Sequence, residues 1–531
     1  MPKKINDLIT YWENREIGFW QWLVVVLLII FIRDTLESIV TTASFPIPDQ
    51  FHLLHVPIFF ISVFLGIVII LHIFSKEDIL KISRIGLVFF PIIISPALVD
   101  FFFFLLTGHT IEYRYILNNL KINFINFLNP FFKIEGAPYT VRLEIGVISI
   151  LSFIYIFIKR RRLVFSLLGA FFIFCLCFFF ATLPAIITQL ISYLFRFLFF
   201  VFNFLGIKDR FYPAYTFLSK ATLDEAGLVL IEMMLAFFLV AVWYFCYAKE
   251  KFKALLKNLR LTRSFHYLLM TFMGLLVYFS SFLPKDFFIL IRALSILIAI
   301  FFACQFSAIL NDTVDFNSDK LSNPLRPLPK GIFKKEEYLK VGFVYLGFCL
   351  LFSWWVGDNC FVITLLFIVL YSLYSLFPFR IKRFYPFSSL VIGLESVLAF
   401  ILGEVSLKTE EMLSLKYPLA VWLIFLVFSL SSNIKDLKDV EADKIEGVIT
   451  LPVIFGRIKA QRIIAFLVML SYLFVPIFVM RYVSFVGIIW LISLFWGGAN
   501  FLYIYKTKHF NEQIVFILYF IYAFILMASF K

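Results

Sequence analysis

Long apolar stretches alternate with short polar segments along the whole chain. Apolar stretches of about 18 or more residues are typical of helices that cross a membrane. In the first half of the chain, such runs lie near 19–33, 53–75, 85–107, 142–158, 163–205 and 225–247. In the second half, the pattern predicts nine helices, at 265–283, 287–310, 339–356, 359–378, 387–403, 417–434, 461–480, 483–501 and 511–530. We therefore predict an all-α, polytopic protein embedded in a lipid bilayer.

The sequence AKEKFKALLKNLRLTR, residues 248–263, is a basic segment between the two halves. We interpret it as a cytoplasmic linker between a multi-span region of unknown role, residues 1–247, and a second membrane domain, residues 264–531. With the linker inside, alternation places seventeen Lys and Arg residues on the cytoplasmic side of the second domain and five on the other. This asymmetry favours nine spans, because cytoplasmic loops are enriched in basic residues. The same orientation predicts one span within 163–205, followed by an interfacial or re-entrant helix.

Composition and charge agree with a membrane location. Hydrophobic residues make up 62% of the chain and charged residues 15%, with a formal net charge of +14. The basic residues sit in short clusters between apolar runs, which argues for membrane orientation and against nucleic-acid binding. The six cysteines lie inside apolar runs without ligand spacing, which favours packing over disulfides or zinc sites.

Two aspartate triads interrupt the apolar pattern. In NDTVDFNSDK, residues 311–320, the aspartates follow the spacing i, i+3, i+7, which predicts one face of a helix. The segment KDLKDVEADK, residues 435–444, repeats this spacing 124 residues later, at the same predicted membrane face. The six aspartates are Asp312, Asp315, Asp319, Asp436, Asp439 and Asp443.

Carboxylates that converge on one cavity need cations between them. A set of oxygen ligands without His or Cys favours a hard metal, Mg²⁺ before Zn²⁺, and Mg²⁺ is commonly shared with substrate phosphates. A diphosphate between the two triads is therefore the predicted ligand. The basic residues that could grip the same anion are Lys320, Arg326, Lys382, Lys435 and Lys444. The alternative is that the triads are solvated loop aspartates that balance loop lysines.

The motifs around the triads resemble those of the UbiA-type intramembrane prenyltransferase superfamily, over about 250–531. Asn311 and the first triad are similar to the family's NDxxDxxxD, and NPLRPLPKG, residues 323–331, is similar to its N-x-P-x-R-P-(I/L)-P-x-G. The segment KDLKDVEADKIEGVITLPVIFG, residues 435–456, is similar to the family's second motif. We recognise no family in the first half of the chain.

The resemblance implies a nine-helix bundle and an Mg²⁺-dependent prenyltransferase, with its active site under a cytoplasmic cap at the cell's inner membrane. The donor would be an isoprenyl diphosphate. The implied metal ligands are Asp312, Asp315, Asp439 and Asp443, and Asn311, Asp319 and Asp436 would complete the polar wall. The cations would stabilise the departing diphosphate, and aromatic faces would stabilise the allylic cation left behind. Candidates for that aromatic role are Phe316, Tyr371 and Tyr374, against ordinary packing as the alternative.

Some positions depart from the family pattern or stay open. Phe377 stands where relatives often carry a tyrosine in a Tyr-x-x-x-Lys element, which leaves the hydroxyl contact to the diphosphate in question. Ala442 replaces a common glycine, and Ser431–Asn433 replace residues where some relatives place an arginine. Glu395 and Arg292 are ionisable residues within predicted spans, where charge is costly and often functional. Glu395 could orient an acceptor hydroxyl or pair with an arginine.

The acceptor and the chain length of the isoprenyl group stay open at this point. The flanking segments favour a quinone-ring precursor or a lipid-ether acceptor, with a phosphoribosyl acceptor as the alternative within the superfamily. A cation-binding transporter is the alternative from another functional class. Transporter sites tend to lie near the middle of the bilayer in broken helices. The triads instead fall at helix ends beside basic loops, which favours the enzyme.

Overall fold

The computed structural model describes residues 3–44, 49–117, 120–127, 134, 137–204, 225–276, 287–408, 415, 418–438, 440–479, 486–507 and 511–529. Within them, twelve helices are long and apolar enough to cross a membrane. The chain is therefore a multi-pass integral membrane protein, and the all-α prediction is confirmed. It divides into two compact units, Met1–Phe252 and Lys253–Lys531.

The first unit is a bundle of helices with polar side chains paired inside it. Its helices are α1 (Lys3–Asn14), α2 (Phe19–Thr42), α3 (Gln50–Ser75), α4 (Ile79–Phe89), α5 (Ile94–Thr107), α6 (Leu120–Phe127), α7 (Tyr139–Arg160), α8 (Leu163–Ala181), α9 (Leu183–Phe204) and α10 (Glu225–Tyr247). In 163–205, α8 is long enough to span and α9 holds a shorter apolar segment, 183–193. A buried ion pair joins Arg33 on α2 to Glu144 on α7, 3.1 Å apart. Pairing of this kind makes a charge inside a membrane bundle tolerable.

The second unit contains the helices that carry both triads. They are α12 (Leu261–Leu276), α13 (Phe287–Val314), α14 (Phe316–Ser322), α15 (Lys335–Val356), α16 (Asp358–Ser375), α17 (Phe387–Ser406), α18 (Pro418–Ser431), α19 (Val440–Glu446), α20 (Leu451–Phe455), α21 (Arg457–Val479), α22 (Val486–Lys506) and α23 (Glu512–Ser529). The helix α11 (Lys249–Lys257) contains the division between the units. Each of the nine predicted helices overlaps a helix of the structure, and the ends that the structure describes are shifted by a few residues. The predicted residues 277–283, 417, 480, 483–485 and 530 lie outside the described residues.

Two glycines bring α12 and α17 into backbone contact. A Cβ added at Gly274 would lie 2.0 Å from the carbonyl oxygen of Phe400, and one at Gly403 would lie 1.9 Å from that of Thr271. These distances leave no room for any side chain. Small residues at a crossing allow close approach of membrane helices, where dispersion contacts and hydrogen bonds replace the hydrophobic effect. The crossing therefore fixes α12 against α17.

The triads do not lie on continuous α-helices. The helix α13 ends at Val314, Asp315 is a bend residue, and α14 begins at Phe316. In the second triad, Asp436 lies in a 3₁₀ helix, Ser432–Leu437, whereas Asp443 lies in α19. The expectation of one helical face is therefore wrong for both triads. Because of these bends, aspartates of the same triad have different neighbours.

Candidate functional site

Asp312 is buried among cations and hydrogen-bond donors of the protein. Its side chain is 0% exposed, and it forms ion pairs with Arg260 and, at 3.3 Å, with Arg326. Tyr338 and the amide nitrogen of Asn258 each donate a hydrogen bond of 3.2 Å to its second oxygen, Oδ2. Burial of a carboxylate is tolerated when it is paired and hydrogen-bonded in this way. Asp312 therefore connects three parts of the fold: the start of α12, the loop that follows α14, and the helix α15.

The other two aspartates of the first triad line a cavity. Asp315 forms ion pairs with Arg380, at 3.1 Å, and with Lys382. Asp319 pairs with Arg326 and accepts a hydrogen bond of 3.1 Å from Asn323. Burial raises the pKa of Asp319 above its usual range, against the opposing effect of Arg326. Each carboxylate thus lies beside a basic side chain. When a ligand binds, the basic side chain could bind the ligand's phosphate, and the carboxylate would then be available to a metal ion.

Two aspartates of the second triad face the same cavity. Asp436 and Asp443 both line it. The Thr450 hydroxyl donates a 3.4 Å hydrogen bond to Asp443, and the backbone N–H of Val448 donates one of 2.8 Å to the Asp443 carbonyl. Asp439, an expected metal ligand, lies outside the described residues.

A short parallel bridge joins the loops that carry the two kinds of charge. Phe384 and Ile449 form the bridge, in which the Ile449 N–H donates to the Arg383 carbonyl at 2.8 Å and the Tyr385 N–H donates to the Ile449 carbonyl at 3.2 Å. One loop carries Lys382 and the other follows Asp443. The bridge therefore sets the position of a cation relative to an aspartate of the second triad.

These side chains surround one cavity of about 630 Å³ in the second unit. The structure brings together nine of the predicted site residues on its wall: Asn311, Asp315, Asp319, Arg326, Tyr374, Lys382, Lys435, Asp436 and Asp443. Asp312 lies behind this wall with its arginines. Lys320 stacks its ammonium group over the Phe316 ring, 4.3 Å from the centroid, and Lys444 is half exposed, 3.8 Å from Glu441. Those three residues do not line the cavity.

The donor set on the wall fits a hard divalent cation. In the part of the chain that the structure describes, no three His, Cys, Asp or Glu side chains are already arranged as a metal cluster. Asp315, Asp319, Asp436 and Asp443 nevertheless offer only oxygen ligands around one cavity, and their neighbours are lysines and arginines. Oxygen ligands suit Mg²⁺, which completes its shell with water and substrate phosphate oxygens. A metal ion would offset the charge of the carboxylates, and an anionic ligand would offset the charge of the neighbouring lysines and arginines.

Tyr374 provides the hydroxyl that the sequence comparison did not find at Phe377. The Lys435 ammonium donates a 2.6 Å hydrogen bond to the Tyr374 hydroxyl, and both residues line the cavity. Phe377 is 61% exposed, and its ring stacks with the guanidinium groups of Arg380 and Arg383. A tyrosine hydroxyl is therefore present at the site, one helical turn before the expected position.

Sequence reasoning missed four residues that hold the first triad in place: Arg260, Asn258, Tyr338 and Arg380. Arg260 and Asn258 belong to the basic segment that was interpreted only as a linker. Arg380 lies two residues before Lys382, but only the lysine was predicted to bind the anion. Tyr338 carries no signal in the sequence, because it follows Asp312 by 26 positions.

The cavity continues to a buried carboxylate on α17. Glu395 is 1% exposed and accepts a 2.6 Å hydrogen bond from the Tyr267 hydroxyl on α12. Both residues line the cavity, together with the apolar side chains Phe367, Ile392, Phe428, Val468, Val515 and Phe516. Arg292 instead donates to the backbone carbonyls of Ser406, at 2.9 Å, and Val356, at 2.8 Å. The contact seen for Glu395 is thus with a tyrosine, and Arg292 binds helix ends.

Comparison with known proteins agrees with this geometry. Residues 267–525 match the model of the UbiA prenyltransferase family. We refer to residues 267–525 as the UbiA region. The UbiA region contains both triads and most of the residues that line the cavity, and the prediction from the motifs is confirmed. The first half of the chain lies outside the matched residues.

Two similar curated proteins carry the same name. The UbiA region is 29% identical over 195 residues to the digeranylgeranylglyceryl phosphate synthase of Methanocaldococcus jannaschii, covering 35% of this chain and 64% of that protein. It is 30% identical over 175 residues to the enzyme of the same name from Thermococcus sibiricus, covering 32% of this chain and 59% of that protein. The chain thus spans somewhat less than two thirds of these relatives. Among solved structures, a UbiA homolog from Archaeoglobus fulgidus bound to GPP and Mg²⁺ matches with a TM-score of 0.42 and 19% identity, over 52% of this chain and 97% of that one.

Proposed function

We propose that the UbiA region transfers an isoprenyl group from its diphosphate to the hydroxyl of a glyceryl phosphate lipid, at the cytoplasmic face of the cell's inner membrane. The observation that carries this proposal is the single cavity in which carboxylates of both triads meet Lys382, Lys435 and Arg326. The relatives named digeranylgeranylglyceryl phosphate synthase support a glycerol-ether acceptor. They favour it over a quinone-ring precursor or a phosphoribosyl lipid.

The residues of the cavity have three roles: metal binding, stabilisation of the diphosphate, and binding of the isoprenyl chain. Asp315, Asp319 and Asp443 would hold Mg²⁺, together with Asp439, and the bound metal would supply a Lewis acid for the diphosphate oxygens. Lys382, Lys435 and Arg326 stabilise the negative charge that develops on the diphosphate as its bond to C1 breaks. The apolar wall, including Phe428 and Phe516, excludes water and accommodates the isoprenyl chain.

The proposal is tested with the full-length protein in lipid nanodiscs. Labelled geranylgeranyl diphosphate is offered with geranylgeranylglyceryl phosphate, with homogentisate or with a phosphoribosyl acceptor, and labelled product is measured. We expect transfer to the glyceryl phosphate lipid that requires Mg²⁺ and is lost in Asp315→Ala and Asp439→Ala. Full turnover in either variant, or product with another acceptor alone, would contradict the proposal.

The first half of the chain is tested separately. Deletion of residues 1–247 removes the apolar region outside the UbiA match. Transfer by the remaining chain at the full rate would show that the first half serves another role, such as binding a lipid or a partner. Loss of transfer from a folded protein would instead place it in the function of the UbiA region.

A further inference from the structure

Glu395 is the ionisable residue that α17 contributes to the cavity wall. It lies eight residues after Phe387, the first residue of α17, which corresponds to about 12 Å along the helix axis. The cations Arg380 and Lys382 precede that helix end in the chain. Glu395 therefore lies beyond the diphosphate layer, in the apolar part of the cavity.

The two oxygens of Glu395 differ in their contacts. Oε2 accepts the hydrogen bond from Tyr267, whereas Oε1 is buried and has no hydrogen-bond partner among the described residues. A buried carboxylate oxygen without a donor is costly, so such a group commonly has a role in binding or chemistry. Tyr267 itself is held against Phe367, with ring centroids 5.1 Å apart. The tyrosine thus fixes the carboxylate and leaves one oxygen facing a potential ligand.

Glu395 is also coupled to the cationic layer. Lys435, which donates to Tyr374, is close enough to Glu395 to interact with it electrostatically. A substrate that spans the cavity from Lys435 to Glu395 therefore meets a phosphate-binding group at one end and a proton acceptor at the other. The reacting C1 of an isoprenyl diphosphate lies directly beside its diphosphate. An acceptor hydroxyl that reaches C1 from the apolar side would approach from the direction of Glu395.

We infer that Oε1 of Glu395 binds the acceptor hydroxyl and takes its proton during transfer. This inference rests on the proposed function and adds the residue that activates the acceptor. The hydroxyl oxygen forms a bond to C1 of the isoprenyl group as the bond from C1 to the diphosphate oxygen breaks. The diphosphate leaves with the electron pair, and the hydroxyl proton moves to Glu395. Tyr267 holds the carboxylate in place and is a positioning residue.

The test separates binding of the donor from transfer to the acceptor. Glu395→Gln keeps the shape and the hydrogen bond from Tyr267 but cannot accept the proton. We expect a loss of kcat of about 100-fold or more, the scale of general base catalysis, with unchanged binding of labelled geranylgeranyl diphosphate. Glu395→Asp should recover part of the loss, because it restores a carboxylate, and Glu395→Ala should recover none. Tyr267→Phe should retain part of the activity.

Glu404→Gln is the matched control. Glu404 is a buried glutamate of the same helix that lies 3.4 Å from Lys408 and does not line the cavity. It should keep the wild-type kcat. If Glu395→Gln transfers at the wild-type rate, or if it loses donor binding and transfer together, the role of Glu395 as base is overturned. If the wild-type protein binds the donor but transfers to no hydroxyl acceptor, the proposed function fails instead.

Discussion

Lys435 and Tyr374 are joined by a 2.6 Å hydrogen bond on the cavity wall, although 61 positions separate them in the chain. Tyr374 lies on α16, and Lys435 lies in the 3₁₀ helix that also contains Asp436. The lysine ammonium is also 5.0 Å from the centroid of the tyrosine ring. The tyrosine therefore restrains the direction in which the ammonium points towards a bound diphosphate.

Tyr374→Phe should lower transfer by weakening this restraint. The hydrogen bond to a charged group is worth about 1.5–3 kcal/mol, so we expect kcat/KM to fall roughly ten-fold or more. Tyr345→Phe makes the same chemical change at a residue that stacks on Phe302 away from the cavity wall. Steady-state kinetics of the two variants should differ, and equal kinetics would assign no function to the Tyr374 hydroxyl.

Arg260 should stabilise the fold through Asp312. Removal of one cation beside a buried carboxylate leaves it incompletely paired, at a cost of about 1–3 kcal/mol. We expect Arg260→Gln to lower the unfolding temperature in detergent. The same substitution should cost much less in an Asp312→Asn background, where the charge is absent. An equal cost in both backgrounds would mean that the ion pair contributes nothing to stability.

Asp443 should set the concentration of Mg²⁺ that transfer requires. Mutation of a residue that only hydrogen-bonds to a metal ligand already costs about 10- to 100-fold in metal affinity, so loss of a ligand carboxylate should cost at least as much. Asp443→Asn should therefore raise the half-saturating Mg²⁺ concentration by about that factor or more. Glu441→Gln is the control, because this glutamate lies on the same short helix with its side chain 87% exposed. A titration of transfer rate with Mg²⁺ that is identical for the two variants would exclude Asp443 from the metal site.

Gly274→Ala should both destabilise the protein and reduce transfer. The new methyl group would overlap the Phe400 carbonyl on α17, and overpacking of this kind costs about 1–3 kcal/mol. Separation of α12 from α17 would also draw Tyr267 away from Glu395. Gly347→Ala, on α15, places its methyl group in open space and should leave thermal unfolding and transfer near the wild-type values. Similar behaviour of both variants would mean that α12 and α17 tolerate a wider spacing.

The sequence was sufficient to predict the helices and to indicate that the site binds charged ligands. Nine apolar runs coincide with helices, and the spacing of the aspartates indicated a site for cations and an anion. The surroundings of Asp312 could not be predicted, because its partner Arg260 lies in the loop before α12 and its partner Tyr338 lies on α15, and only the folded bundle brings them together. The hydrogen bond between Tyr267 and Glu395 joins residues 128 positions apart and depends on the glycine contacts between α12 and α17. Local spacing also could not show where the chain bends at Asp315, since the same pattern fits a continuous helix.

The bridge between Phe384 and Ile449 has a mechanical consequence for substrate entry. Its backbone hydrogen bonds tie the Arg383 and Tyr385 peptide groups to Ile449. A displacement that preserves these bonds carries Lys382 along with the segment after Asp443. The two bridged loops would then move together during each turnover. Lys382 and Asp443 would approach or leave the diphosphate of the donor at the same time.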